Sequence, residues 1–234
     1  MDFLHLPVEL LHVILLHLTH EEILSFTEIS SACYRICDNA YFLARKTNHS
    51  LCLPKETVSF IPVYRKYYRK LNKKLIRRLA PQDFGYDWEE KNKKIVQDVI
   101  DSGANLRFHY RGMTPLQIAI ENEESKMVNM LLTAGSDANA RGPFGLNALL
   151  MCLIYFDFDS NLTTIKCHKD KKMFEILTML LEDGADLPEH DSSIITFAIS
   201  RLFKDERGRE ILSCVPSNEK NPRFYSKLRQ LLRD

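Results

Sequence analysis

The chain has 234 residues, 45% hydrophobic and 27% charged, the balance of a folded globular protein with room for one or two domains and a sizeable core. Its formal net charge of +1 excludes any general attraction to nucleic acid or membrane, so such a role would have to come from local clustering of charge.

The first element is the apolar run LPVELLHVILLHLTHEEILSF, residues 6–26. Glu9, His12 and His17 interrupt it, no Lys or Arg precedes it and no small-residue cleavage site follows, so it is not expected to be a secretory signal. No apolar run is long enough to span a bilayer, and the C-terminal residues offer no prenylation cysteine. Pro7 suits a first helical position, with Glu9 in the first turn. Leu10, Leu11, Ile14, Leu15 and Leu18 follow at helical spacing, with Val13 and Leu16 on much of the remaining surface. A helix apolar on nearly every side must be covered on nearly every side.

Thr19 and Glu22 form a capping-box pair that starts a second helix carrying Ile23, Leu24 and Phe26. A third segment places Ile29, Ala32, Cys33 and Ile36 on one face, with Asn39 as its terminator. Three short helices cannot hide both faces of the first, and the surplus apolar surface predicts a partner.

The pattern Leu6-Pro7-x-Glu9-Leu10, then Ile14, Leu18, Ile23-Leu24 and a closing Ser30-x-x-Cys33-Tyr34 resembles an F-box over residues 3 to about 45. Tyr34 stands near the family's usual tryptophan, so the end of the motif departs from the pattern. The resemblance implies docking on the Skp adaptor of a cullin–RING ubiquitin ligase through Leu6, Pro7, Glu9, Leu10, Ile14, Leu15, Leu18, Ile23 and Leu24. The alternative is a helical hairpin packed on the rest of its own chain.

Six cysteines (33, 37, 52, 152, 167 and 214) follow no disulfide framework, which suits reduced thiols in a cytosol-like compartment. Zinc bound by Cys33, Cys37, His49 and Cys52 is weighed against buried thiols, and the thiol reading is preferred because Cys33 and Cys37 sit one turn apart in an amphipathic helix. No metal or cofactor is expected.

Residues 46–81 read as a linker with a basic amphipathic helix. Tyr64, Tyr67, Tyr68, Leu71, Leu75 and Leu79 recur every three or four positions, with Arg65, Lys66, Arg69, Lys70, Lys73, Lys74, Arg77 and Arg78 between them and Pro81 at the end. Such a face can bind nucleic acid or anionic lipid, but no nucleic-acid motif surrounds it, and it is read as the solvated face of a connecting helix.

Residues 112–140 contain Thr114-Pro115-Leu116-Gln117-x-Ala119, then Met127-Val128-x-x-Leu131-Leu132, then Gly135 to Asn139. The closure recurs as Gly103-Ala104-Asn105 and at Gly184, and Asn147 stands 33 residues after Thr114. This resembles ankyrin repeats, whose period is about 33 residues, over 82–215: about four copies, two degenerate, with an insertion near 155–171 and a terminal cap from Glu189. Residues 216–234 are expected to form a capping helix with Phe224, Leu228 and Leu231 in register. The fold expected is thus all-α: a three-helix F-box-like module at 1–45, a basic linker helix and an ankyrin solenoid.

By analogy with the repeat family, a target would meet Tyr110, Arg111, Met113, Glu121 and Asn122 in one repeat and Phe144, Leu146, Ile154 and Tyr155 in the next. Asp157-x-Asp159-x-Asn161 briefly suggests a calcium loop, but Leu162 and His168 stand where glycine and glutamate are needed. No phosphate loop, nucleophile elbow or zinc-protease pair is present, and Cys167-His168 lacks an orienting partner, so no catalysis is expected. The expected function is a non-catalytic substrate receptor of an SCF ligase, with the ankyrin repeats holding an unidentified target protein. The alternative is an ankyrin scaffold or inhibitor whose N-terminal helices cap the stack. The arrangement also resembles F-box/ankyrin effectors of intracellular bacteria, which implies the cytosol, of a host cell in that case, as the place of action.

Overall fold

The computed structural model describes residues 6–48, 59–79, 86–155, 167–188 and 221–231. Among them the regular structure is helical: α1 (Val8–Leu16), α2 (His20–Ile29), α3 (Ser31–Cys37), α4 (Ala40–Lys46), α5 (Ile61–Leu79), α6 (Tyr86–Asp101), α7 (Pro115–Glu121), α8 (Ser125–Thr133), α9 (Ala148–Tyr155), α10 (Cys167–Asp183) and α11 (Pro222–Leu231). The chain divides into two compact units, one of Met1–Arg78 with Gly85–Asn105 and one of Leu79–Phe84 with Leu106–Asp234.

Helices α2, α3 and α4 begin where side chains satisfy their free N–H groups. Thr19 Oγ1 accepts from the Glu22 N–H while Glu22 Oε2 accepts from the Thr19 N–H at 2.7 Å. Ser30 caps α3, and Asn39 caps α4 by accepting from the Phe42 N–H at 3.0 Å. A fourth helix therefore follows the three expected, because an asparagine that ends one helix can equally open the next. Pro7 is the residue just before α1 rather than its first member. The end of α1 is covered by Lys46, whose ammonium donates to the carbonyls of Leu16 and Leu18, a cation where the helix dipole is negative.

Leu15, Ile23, Cys37, Phe42, Leu43, Ile61 and Tyr64 form the core of this unit. Asp38 Oδ1 accepts from the N–H groups of Phe60 and Ile61 and so starts α5. Tyr64, Tyr68, Leu71 and Leu75 are buried at helical steps along α5. Asn92 of α6 donates to the Arg78 carbonyl at 2.8 Å, and Asn72 accepts from the Asn105 N–H at 2.9 Å. Helices α5 and α6 thus belong to the same compact unit as the N-terminal module.

His20 joins these pieces. It is 3% exposed, with Nε2 2.8 Å from the Ser102 carbonyl and Nδ1 2.5 Å from Tyr64 Oη. A carbonyl only accepts, so Nε2 carries the proton, Nδ1 accepts, and the tyrosine hydroxyl donates. Gly103, at φ +82°, follows Ser102, and a Cβ there would come within 2.6 Å of the imidazole. Only glycine fits both the left-handed turn and this approach.

Burial lowers the His20 pKa below the ordinary 6.5, with the Lys46 charge adding to the effect against the opposing Ser102 bond. Below about pH 6.5 the unfolded chain takes up a proton that the folded unit refuses. Folded stability is therefore complete above that pH, falls as pH drops toward the lowered value, and levels off beneath it. Urea midpoints are expected to decline between about pH 7.5 and 5.5 in the wild type, and less steeply in His20→Gln.

In the second unit α7 packs on α8 and α9, α10 packs on α8, and α9 packs on α10, so two helical hairpins stack with like helices adjacent. Thr114 caps α7, with Gln117 completing the capping box, and Asn147 caps α9 by accepting from the Leu150 N–H at 3.0 Å. Gly135 and Gly184 both have positive φ, and each closes its hairpin with paired bonds back to the preceding turn, as Gly103 does after α6. Helix α10 already includes residues 167–171, so the extra length between the hairpin helices is 156–166; those residues and 189–215, with the calcium-like loop and the expected cap, lie outside the described residues. The Asp186 carboxylate accepts from the Arg223 and Phe224 N–H groups and starts α11, while Phe224 is fully buried.

Candidate functional site

Two surfaces hold the residues singled out by sequence. On α1, Leu11 and Leu15 are about 1% exposed and point into the core. The opposite side keeps Leu10 52%, Val13 49% and Ile14 42% exposed, with Val8 exposed in the first turn. Residues 10, 13, 14 and 17 share one face at helical spacing. A nine-residue helix thus shows solvent an aliphatic stripe nearly as apolar as the one it buries.

The expected adaptor contacts divide accordingly. Pro7, Glu9, Leu10 and Ile14 are exposed, while Leu6, Leu18 and Leu24 are half-buried, the last two packed against the core. Leu15 and Ile23 are 1% and 0% exposed and belong to the core, so their side chains are not available to a partner in this fold. Val8, Val13 and Ile29, the last 72% exposed, were not among the expected contacts. Val13 had a signal, its place three residues after Leu10; Ile29, at the end of α2, had none.

On the second unit, Tyr110 and Met113 pair through N–H···O bonds of 2.9 and 3.1 Å, and Arg111 and Gly112 between them both have positive φ. The same turn recurs 33 residues later, with Phe144 and Gly145 at positive φ. Tyr110 is 41% exposed with the Arg111 guanidinium 5.4 Å from its ring centre, and Phe144 is 94% exposed. Met113 and Leu146 are half-buried at equivalent places. At the other end of the inner helices Glu121 and Tyr155 are exposed and Ile154 half-buried. Burial, with the Glu121 charge second, raises the Tyr155 pKa. The Asn122 amide donates to the carbonyls of Leu79 and Ile118 at 2.9 and 2.8 Å, so its N–H groups are engaged within the unit.

The Phe144 loop is tied down by Gln117, which is fully buried and donates through Nε2 to the carbonyls of Ala140 and Leu146, each at 3.1 Å, while its Oε1 accepts from the Thr114 N–H. The repeat family usually has histidine here; the glutamine makes the bridge to the next loop.

Several groups with perturbed ionisation are buried in the core. Burial pushes the Cys37 thiol up to about 12 and Tyr68 to about 12, and raises Tyr64 and Cys152 further. Cys33, Cys37 and Cys152 are buried free thiols; His49 and Cys52, the other candidate zinc ligands, lie outside the described residues.

The fold is all-α. The family model of the F-box domain matches residues 3–45 and that of the ankyrin repeat matches residues 111–143. The chain therefore carries an F-box domain and, later, an ankyrin repeat, both of them interaction modules. No curated protein matches the chain. Among the described residues, no helix is long and apolar enough to cross a membrane.

Proposed function

We propose that this protein is the substrate-recognition subunit of an SCF ubiquitin ligase, with the F-box docking the Skp adaptor and the ankyrin surface recruiting a target protein. The observation that carries the reading is the aliphatic stripe of Leu10, Val13 and Ile14, exposed on the side of α1 away from the buried Leu11 and Leu15. Contiguous apolar surface of this kind marks a protein interface. The exposed aromatics Tyr110, Phe144 and Tyr155 are the natural anchors for the target, since aromatic and arginine side chains dominate binding energy at interfaces. Ubiquitin transfer would be performed by the other subunits.

One observation favours the capping alternative in part: His20 fastens α2 to α5 and to the turn after α6, so the N-terminal helices do cover the helix pair that follows. That contact leaves the outer face of α1 uncovered. The buried free thiols suit a reducing cytosol, and our reading extends to an effector working in the cytosol of a host cell.

Co-expression with the Skp adaptor and cullin, followed by size exclusion with light scattering, tests the assignment. One copy of each chain in a single complex is expected, and Tyr110→Ala/Phe144→Ala should assemble equally well while losing the target. Elution of the protein apart from both partners would refute the reading.

A further inference from the structure

We propose that the outward face of α5 is a docking surface for an anionic lipid bilayer. Lys66, Arg69, Lys70, Lys73 and Lys74 are all exposed. They spread over about 140° of the helix surface at 100° per residue, on the side away from the buried Tyr64, Tyr68, Leu71 and Leu75. One ion pair of α5, Arg65 to Glu28 at 3.1 Å, lies on the flank. The whole chain carries a net charge of only +1, so this field belongs to the ridge.

The shape and chemistry of the ridge select among polyanions. An acidic peptide is held in a groove, whereas a helix anchored by its opposite face presents a convex ridge. Single-stranded nucleic acid needs exposed aromatics for stacking, and adenine edges are read by amides. The amide of this helix, Asn72, is 3% exposed and bonded to the Asn105 N–H; Tyr64 and Tyr68 are buried, and Tyr67 is half-buried with its ring 6.4 Å from that of His20. A row of mostly lysine point charges along about 12 Å of helix suits a planar lattice of lipid headgroups, which demands charge and no bidentate geometry. The apolar side of α5 is spent on the protein core, so attachment is by charge alone, without insertion.

The test is sedimentation of the full chain with vesicles of phosphatidylcholine containing about 30% phosphatidylserine, beside pure phosphatidylcholine vesicles and a short duplex DNA at equal phosphate concentration. Binding to the anionic vesicles, but not to the neutral ones, is expected at about 0.1 M salt and is expected to vanish at about 0.5 M. Lys66→Gln/Lys70→Gln/Lys73→Gln should lower partitioning about a hundredfold, roughly fivefold per cation, with an unchanged circular dichroism spectrum. Lys172→Gln, an exposed lysine on α10, should leave it unaltered. Equal binding by the triple variant, binding to neutral vesicles, no binding to either vesicle, or tighter binding to the duplex would each overturn the proposal.

Discussion

Placing aspartate at both Leu10 and Ile14 is expected to weaken binding of the Skp adaptor at least a thousandfold while the protein stays folded. Both side chains stand roughly half exposed, so the free protein loses little when they change. In a complex, burying their remaining area contributes about 1 kcal/mol each, and seating an unpaired carboxylate in an apolar interface costs several kcal/mol more. The sum exceeds the roughly 4 kcal/mol that a thousandfold represents. Leu15→Asp is the opposite case: with its side chain 1% exposed in the core, the substitution should unfold the first unit and abolish binding for that reason. Thermal denaturation beside an adaptor titration separates the two, since only Leu15→Asp should shift the melting temperature strongly.

The largest effect expected in the second unit is from Gln117→Ala. Three buried or partly buried backbone groups, the Thr114 N–H and the carbonyls of Ala140 and Leu146, lose their partner at once. Each unsatisfied group costs about 1–3 kcal/mol, so a total of at least about 3 kcal/mol is expected. The damage should be local as well as global, because the amide fixes the loop that carries Phe144. Urea unfolding should report the stability loss, and hydrogen exchange should show residues 140–146 opening first. Gln117→His, which installs the residue the repeat family favours, should recover part of the loss.

These residues were not equally legible in the sequence. The α1 stripe could be found from spacing, and so could the helix starts at Thr19, Thr114 and Asn147, because caps and periodicity are local signals. Which side of α1 faces inward was not, since a helix apolar all round gives no direction; Leu15 and Ile23 therefore looked like contact residues and are core. Asn39 was legible as a stop, and its second role as the cap of α4 was not. His20 was missed, because its partners Tyr64 and Ser102 lie 44 and 82 residues away and nothing local marks such a bridge. Gly103 was readable as a hairpin closure, but its second constraint, the imidazole lying where a Cβ would go, depends on the same long-range contact. The basic face of α5 was fully legible as a pattern. Its direction came from packing: Tyr64, Tyr68, Leu71 and Leu75 are buried in the unit formed with the F-box, which leaves the lysines exposed.

The central claim is most directly tested by titrating the isolated Skp adaptor into the full chain in a calorimeter at two temperatures. A saturable one-to-one complex with a negative heat-capacity change is predicted, the signature of apolar surface leaving water, and Leu10→Asp/Ile14→Asp should remove it. No binding by a folded wild-type chain, or binding that the double variant retains, would contradict the account.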